Sequence, residues 1–208
     1  MFDRKTEIAP LAGKAGLAAR RRRLTLLRRF GRSQDGATAV EFGFIAAPFL
    51  MLLWAIFETA LMFWTTQVLE EAVTQASRAV LTGESRALYT SGSAAVNTTA
   101  FRDAVCARAP LGLIDCSKLA IDVRNYANFS GASSGTSGSN PLAGGNLDTS
   151  TFSYSAPAAN QIVVVRAVLD YKLFLTSWAS YSLANIGGPG SGRRGIIASV
   201  AFRTEPFV

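Results

Sequence analysis

The chain has 208 residues, of which 49% are hydrophobic and 17% charged, and it contains no histidine. Length and apolar content suffice for one packed domain with additions. The missing histidine excludes Ser-His-Asp and Cys-His nucleophiles and His-ligated metals, and two cysteines are too few for a four-thiolate zinc site. The formal charge of +7 belongs to the start of the chain: residues 1–36 carry ten Lys and Arg against Asp3, Glu7 and Asp35, whereas the remainder is balanced.

A basic arm of this kind suits nucleic acid or a membrane surface, and the apolar segment after it selects the membrane. From Phe42 to Trp64 the chain is a 23-residue apolar run, FGFIAAPFLMLLWAIFETALMFW, with Glu58 its one ionisable group. At about 1.5 Å per residue the run spans roughly 35 Å, enough for a hydrocarbon core of about 30 Å. It is too long for the apolar part of a cleaved secretory signal, and no short apolar region with a cleavage site succeeds the arginine pairs as a twin-arginine signal requires. Arg20, Arg21, Arg22, Arg23, Arg28, Arg29 and Arg32 precede the run, and Glu70 and Glu71 come after it, ahead of Arg78. The positive-inside rule then keeps the N-terminus in the cytoplasm, against anionic headgroups, and exports everything after the run.

Two further residues in the span carry physical expectations. Glu58 lies about 24 Å beyond Phe42 and within about 10 Å of the outer end, where a lone carboxylate must pair or reach water. It either snorkels to the exported surface or meets another membrane helix. Pro48 removes a backbone hydrogen bond and is expected to loosen the helix there.

Immediately before the span stand Gly36, Ala37, Thr38, Ala39, Val40, Glu41 and Phe42. This glycine, small-residue, glutamate, aromatic series ahead of a long apolar helix resembles the processing site of type IV pilin-like proteins. The longer stretch DGATAVEFGFIAAPFLMLLWAIFE, followed by AVTQASRAVLTG, resembles the TadE-like family of the tight-adherence (Tad, Flp pilus) systems, and the closing AFRTEPF is similar to the end of such proteins. The resemblance implies a minor pilin or pseudopilin, with a prepilin peptidase cutting between Gly36 and Ala37. It also implies that Glu41, beside Phe42, meets the Ala37 amine of a neighbouring subunit and sets register. The alternative for Glu41 is a carboxylate favoured by the dipole in the first helical turn. A leader of 36 residues is long for a pilin.

Beyond the span, Val68, Ala72, Val73, Ala76, Ala79 and Val80 recur at helical spacing with Leu69 beside them, and Gly83 supplies a stop. One helix is therefore expected over residues 38–82, its outer half covering a sheet. Residues 84–98 read as a loop and Phe101–Ala109 as a short helix. Strands are expected at Leu119–Tyr126, at Gln161–Leu175 and at Gly195–Arg203, each with one apolar face and paired antiparallel. Cys106 and Cys116, in an oxidising compartment, are expected to form a disulfide, with free thiols or a redox pair as alternatives. The Gly/Ser-rich residues 130–146 read as a mobile surface loop. Neither they nor the glycines at 187–192 fit a phosphate-binding loop. In the closing segment, Arg203 and Glu205 are expected either to serve a salt bridge or turn closure, or to touch another subunit.

The expected fold class is α+β, pilin-like: a basic leader at residues 1–36, a long helix at 37–83 crossing the membrane at 42–64, and an exported domain at 84–208 with an antiparallel sheet. Three functions compete: a processed pilin-like subunit of an adhesive pilus, an unprocessed signal-anchored envelope protein whose exported domain binds a surface partner, and a carboxylate enzyme. Asp103, Asp115, Asp122, Asp148 and Asp170 are scattered with no joining motif, which disfavours the enzyme. Expected partners are the bacterial inner membrane, a prepilin peptidase and other pilin-like or pilus assembly subunits. No nucleic acid, small-molecule substrate, metal or cofactor is expected.

Overall fold

The computed structural model describes residues 35–89, 91–137, 140–174 and 183–206. The arginine cluster from Arg20 to Arg32 lies outside them. The chain divides into two compact units, residues 1–53 and 54–208. Helix α1 runs Asp35–Leu81, continuing through Pro48, so the first unit's described part consists of its N-terminal portion. The helix stops where expected. Thr82 N–H still reaches Arg78 C=O, but Gly83 turns to φ 84° and ends the series.

In the second unit the buried side of α1 is a stripe of Glu58, Met62, Thr65, Leu69, Ala72, Val73, Ala76 and Val80. Steps of three and four residues place all of them on one face. The expected outer half is thus the face that packs, with Val68 and Ala79 half-buried at its margins. Thr65 is tolerated there because its hydroxyl donates to Leu61 C=O, 2.8 Å away within the helix. Small residues Ala72 and Ala76 let the helix lie close on the sheet, while each fully buried Leu or Val contributes about 1.5–3 kcal/mol.

The sheet has three antiparallel strands in the order β1–β2–β3: β1 (Leu119–Tyr126), β2 (Ile162–Lys172) and β3 (Arg193–Arg203). Register pairs Leu119 with Leu169, Ile121 with Ala167 and Val123 with Val165; on the other side of β2, Leu169 pairs with Ile196, Ala167 with Ala198 and Val165 with Val200. These side chains share one face and one core with the α1 stripe. The long helix followed by a small domain with an antiparallel sheet is the α+β arrangement the sequence implies. Leu175, placed at the end of the second strand from sequence, lies outside the described residues.

The segment before the sheet holds more helix than its composition suggests. Residues 84–98, expected as a loop, contain α2 (Ser85–Leu88) and the start of α3, which runs Ala94–Cys106. The side chain of buried Asn97 donates to Ser91 C=O at 2.8 Å and pins the first turn of α3. Phe101 and Val105 of α3 enter the core, where Phe101, Tyr89 and Tyr154 form an aromatic triad with ring centroids 5.4–6.3 Å apart. Cys106 at the end of α3 is joined to Cys116, just before β1, with Cα atoms 6.1 Å apart.

The opposite face of the sheet is covered by a piece whose composition suggested none. Within residues 130–146, expected as loop, lie helix α4 (Phe129–Ser137) and a 3-10 turn at Ala143–Gly145. The helix packs against β1 and β2 and buries Ala132. Gly135 permits that approach: a Cβ there would come within 2.6 Å of the Tyr126 ring. Leu142 likewise sits on Gly195, where a Cβ would meet its side chain at 2.6 Å. Small residues therefore act here as packing surface rather than as loop.

The C-terminal segment closes the domain. Thr204 donates from its hydroxyl to Ala158 C=O and accepts the Gln161 N–H, while Glu205 N–H caps the Leu81 C=O at the end of α1, 3.0 Å away. Arg203 donates to Asn160 C=O and does not bridge to Glu205. Of the two accounts the sequence left for this segment, turn closure describes the contacts present.

Replacing both cysteines by serine is expected to lower stability by about 3 kcal/mol in the chain-entropy picture, read as a shifted urea midpoint of the full chain in detergent. A second expectation concerns alkaline pH. Burial pushes the Tyr154 hydroxyl from 10.0 up to about 12, and raises Tyr89 as well, with Arg108 opposing. Because the unfolded tyrosines lose their protons first, stability is intact below about pH 10 and falls as pH rises through about 12. Tyr154→Phe flattens that decline in a pH series of urea midpoints.

Candidate functional site: the exposed apolar helix and its anchor

From Val40 to Phe57 twelve large apolar side chains of α1 are 45–78% exposed. Six of them, Phe49 to Trp54, are consecutive, and at about 100° per residue they cover the whole circumference of the helix. A core helix of a soluble protein buries at least one stripe; among the described residues of this segment none is buried. An 18-residue stretch of α1 has mean hydropathy 2.0, and α1 is long and apolar enough to cross a membrane.

The residues singled out from sequence at the start of this helix are all exposed. Gly36 and Ala37 lie in its first turn, and a Cβ on Gly36 would meet nothing within 4 Å. Glu41 stands exposed one turn further, and Phe42 beside it is exposed too. The four residues thus form an accessible edge leading directly into the apolar stretch.

Of the two accounts the sequence offered for Glu58, snorkelling to water does not describe it: the residue is only 2% exposed and belongs to the inward stripe of α1. Both of its carboxylate oxygens accept the backbone N–H of Phe174, at 3.0 Å each, just past the end of β2. A carboxylate near an apolar layer is costly unless hydrogen-bonded, and here the domain's own backbone supplies a donor. The apolar run read as 42–64 is accordingly shared. Phe57, Phe63 and Trp64 remain exposed, while Glu58 and Met62 face the domain. Hydropathy cannot register that division, because a side chain facing lipid and one facing a sheet have the same composition.

A second charged cluster escaped the sequence reading. Asp122 of β1, one of the aspartates with no joining motif in the sequence, is 1% exposed. It pairs directly across the strands with Arg166 (2.8 Å), accepts from Arg124 Nε (3.0 Å), and accepts the Ser153 N–H at 3.1 Å. Arg166 also lies over the Phe152 ring, 5.7 Å from its centroid. The hydrogen bond to Asp122 raises the Arg124 pKa above its ordinary value. This cluster fastens residues 151–153 to β1, so that Ser155 N–H reaches Val123 C=O and Tyr154 enters the core. The signal available in the sequence was an Asp and an Arg at opposed positions of two largely apolar strands. Without the register that pairing is invisible. The cluster is a structural clamp.

Residues 36–78 match the family model described as TadE-like protein, the same part of the chain that carries the strongest resemblance in its sequence. That family points to Tad pilus-associated, pilin-like proteins. No curated protein and no solved structure matches the chain.

Removing the charge partner should reveal the anchor. Glu58→Ala leaves the Phe174 N–H without its acceptor and is expected to cost about 1–3 kcal/mol, with Glu58→Gln restoring part of the loss. Urea-dependent proteolysis of the full chain in detergent micelles measures both.

Proposed function

We propose that the protein is a minor pilin-like subunit needed for assembly of a Tad-type adhesive pilus, processed by a prepilin peptidase between Gly36 and Ala37. The observation that carries this reading is the junction itself. The family match begins at Gly36, and the exposed apolar stretch of α1 starts four residues later at Val40. A helix with twelve large apolar side chains facing outward has to be covered by lipid or by other helices.

In this proposal the arginine-rich leader stays in the cytoplasm, the apolar part of α1 crosses the inner membrane, and the disulfide-bearing domain lies outside. Cutting after Gly36 removes the entire excess of positive charge and leaves 172 residues beginning with an α-ammonium at Ala37. Glu41 is then the nearest carboxylate, four residues on and exposed. In lipid an ammonium and a carboxylate from adjoining subunits each relieve the other's desolvation, which gives an assembling helix a preferred axial register. The domain supplies no chemistry in this reading. It is a rigid body that the helix delivers to an assembly of other pilin-like subunits.

N-terminal sequencing of the membrane-purified protein is expected to begin at Ala37, with Gly36→Leu leaving the longer form. Intact protein starting at Met1 in cells with an active prepilin peptidase would instead establish the unprocessed signal-anchored reading. Glu41→Ala is expected to be cut normally yet to lose piliation; normal pili in that variant would remove the register role.

A further inference from the structure

We infer that the end of β2 is a second membrane contact: the tip of the domain at Phe174 is immersed in the bilayer leaflet through which α1 emerges, with Lys172 and Lys118 at the level of the lipid phosphates. This rests on the reading that α1 crosses a membrane and extends it from the helix to the folded domain.

Within the second unit, Phe57, Phe63 and Trp64 of α1 are 50–62% exposed, so apolar rings face outward both before Glu58 and beyond it. Phe63 lies five residues past Glu58, a rise of about 8 Å, so lipid that covers Phe63 and Trp64 also surrounds the level of Glu58. Whatever is hydrogen-bonded to Glu58 shares its depth, and that is the backbone N–H of Phe174. The domain therefore does not stand off the bilayer on a stalk; the contact that anchors it draws its tip down to Glu58.

The side chains at the tip suit that depth. Phe174 is 74% exposed, its ring touching Tyr171 edge-on with centroids 6.2 Å apart. In water such a ring gains nothing, whereas at the edge of the hydrocarbon it is buried. Lys172, exposed and two residues up the strand, stands about 7 Å above Phe174, the distance from acyl chains to headgroups. Lys118, also exposed, lines a cleft of about 730 Å³ together with Lys172, Phe174 and Arg193. Asp170 in that cleft is already paired with Arg193, and Asp115 is exposed and accepts from Ser117. Beyond the Asp170–Arg193 pair, the described lining carries Lys118 and Lys172 against the one carboxylate of Asp115, a positive balance that favours a phosphate-bearing lipid surface.

The test uses the full chain in vesicles of phosphatidylcholine and phosphatidylglycerol, with the native disulfide intact. Single-cysteine variants Phe174→Cys, Leu50→Cys and Ser199→Cys each carry an environment-sensitive fluorophore. Ser199, exposed on β3 and paired with Arg166, is eight residues along the sheet from Phe174, about 26 Å. The probe at 174 is expected to be quenched by lipids spin-labelled near the headgroup at least twofold more than the probe at 199, and to resist aqueous iodide. Reversing both lysines (Lys118→Glu with Lys172→Glu) is expected to reduce that quenching by half or more in anionic vesicles. If the probe at 50 is quenched by deep spin labels while the probe at 174 behaves like that at 199, the second contact is overturned and the spanning helix stands. If the probe at 50 also fails to respond, the membrane reading falls and this inference with it. Unchanged quenching after charge reversal removes the lysines from the contact.

Discussion

The hydrogen bond from Phe174 N–H to the Glu58 carboxylate fixes where α1 changes surroundings. One turn before it, Trp54, Ile56 and Phe57 are exposed on different sides; one turn after it, Met62 lies in the core of the domain. A carboxyl group in that position has few stable arrangements, because desolvation costs more than a single weak contact returns. Burying Glu58 against a backbone donor meets the requirement and at the same time sets the axial position of the sheet on the helix. Once that position is given, Met62, Leu69, Val73 and Val80 fall onto the face formed by Leu119, Ile121, Val123, Val165 and Leu169.

The domain holds its far side by a comparable device. Asp122 is buried on the face of the sheet away from α1, where it collects Arg166, Arg124 and the Ser153 N–H. Such a carboxylate contributes less to net stability than to specificity, since losing one partner strands the others. Its effect is to place residues 151–155 along β1, which brings Tyr154 beneath Tyr89 and Phe101. The short α3, the disulfide and the closing strand segment at Thr204 then complete a body tied to the end of α1 through Leu81.

Much of this was legible along the chain because the relevant physics is local. The apolar run, the helix stop at Gly83 and the faces of the three strands derive from period and composition, and they appear within a few residues of their expected places. The Gly/Ser tract was misread for an identifiable reason. Composition reports that residues such as Gly135 bury little apolar area of their own, but says nothing of a neighbour that needs the vacant space, here the Tyr126 ring. The same holds for residues 84–98, where helix α3 begins early because Asn97 finds a carbonyl at Ser91.

The sequence by itself determined that one helix would present apolar side chains beyond any core this chain builds, that a small antiparallel sheet would succeed it, and that His-based chemistry was absent. Those conclusions need only counts, periods and charge order. Tertiary structure decided the fate of the charged residues. Glu58 and Asp122 are carboxylates that the structure buries, and their placement depends on donors 116 and 44 residues away, Phe174 and Arg166. Distance along the chain carries no information about such partners; only the register of the sheet and the placement of the helix upon it bring them within hydrogen-bonding reach.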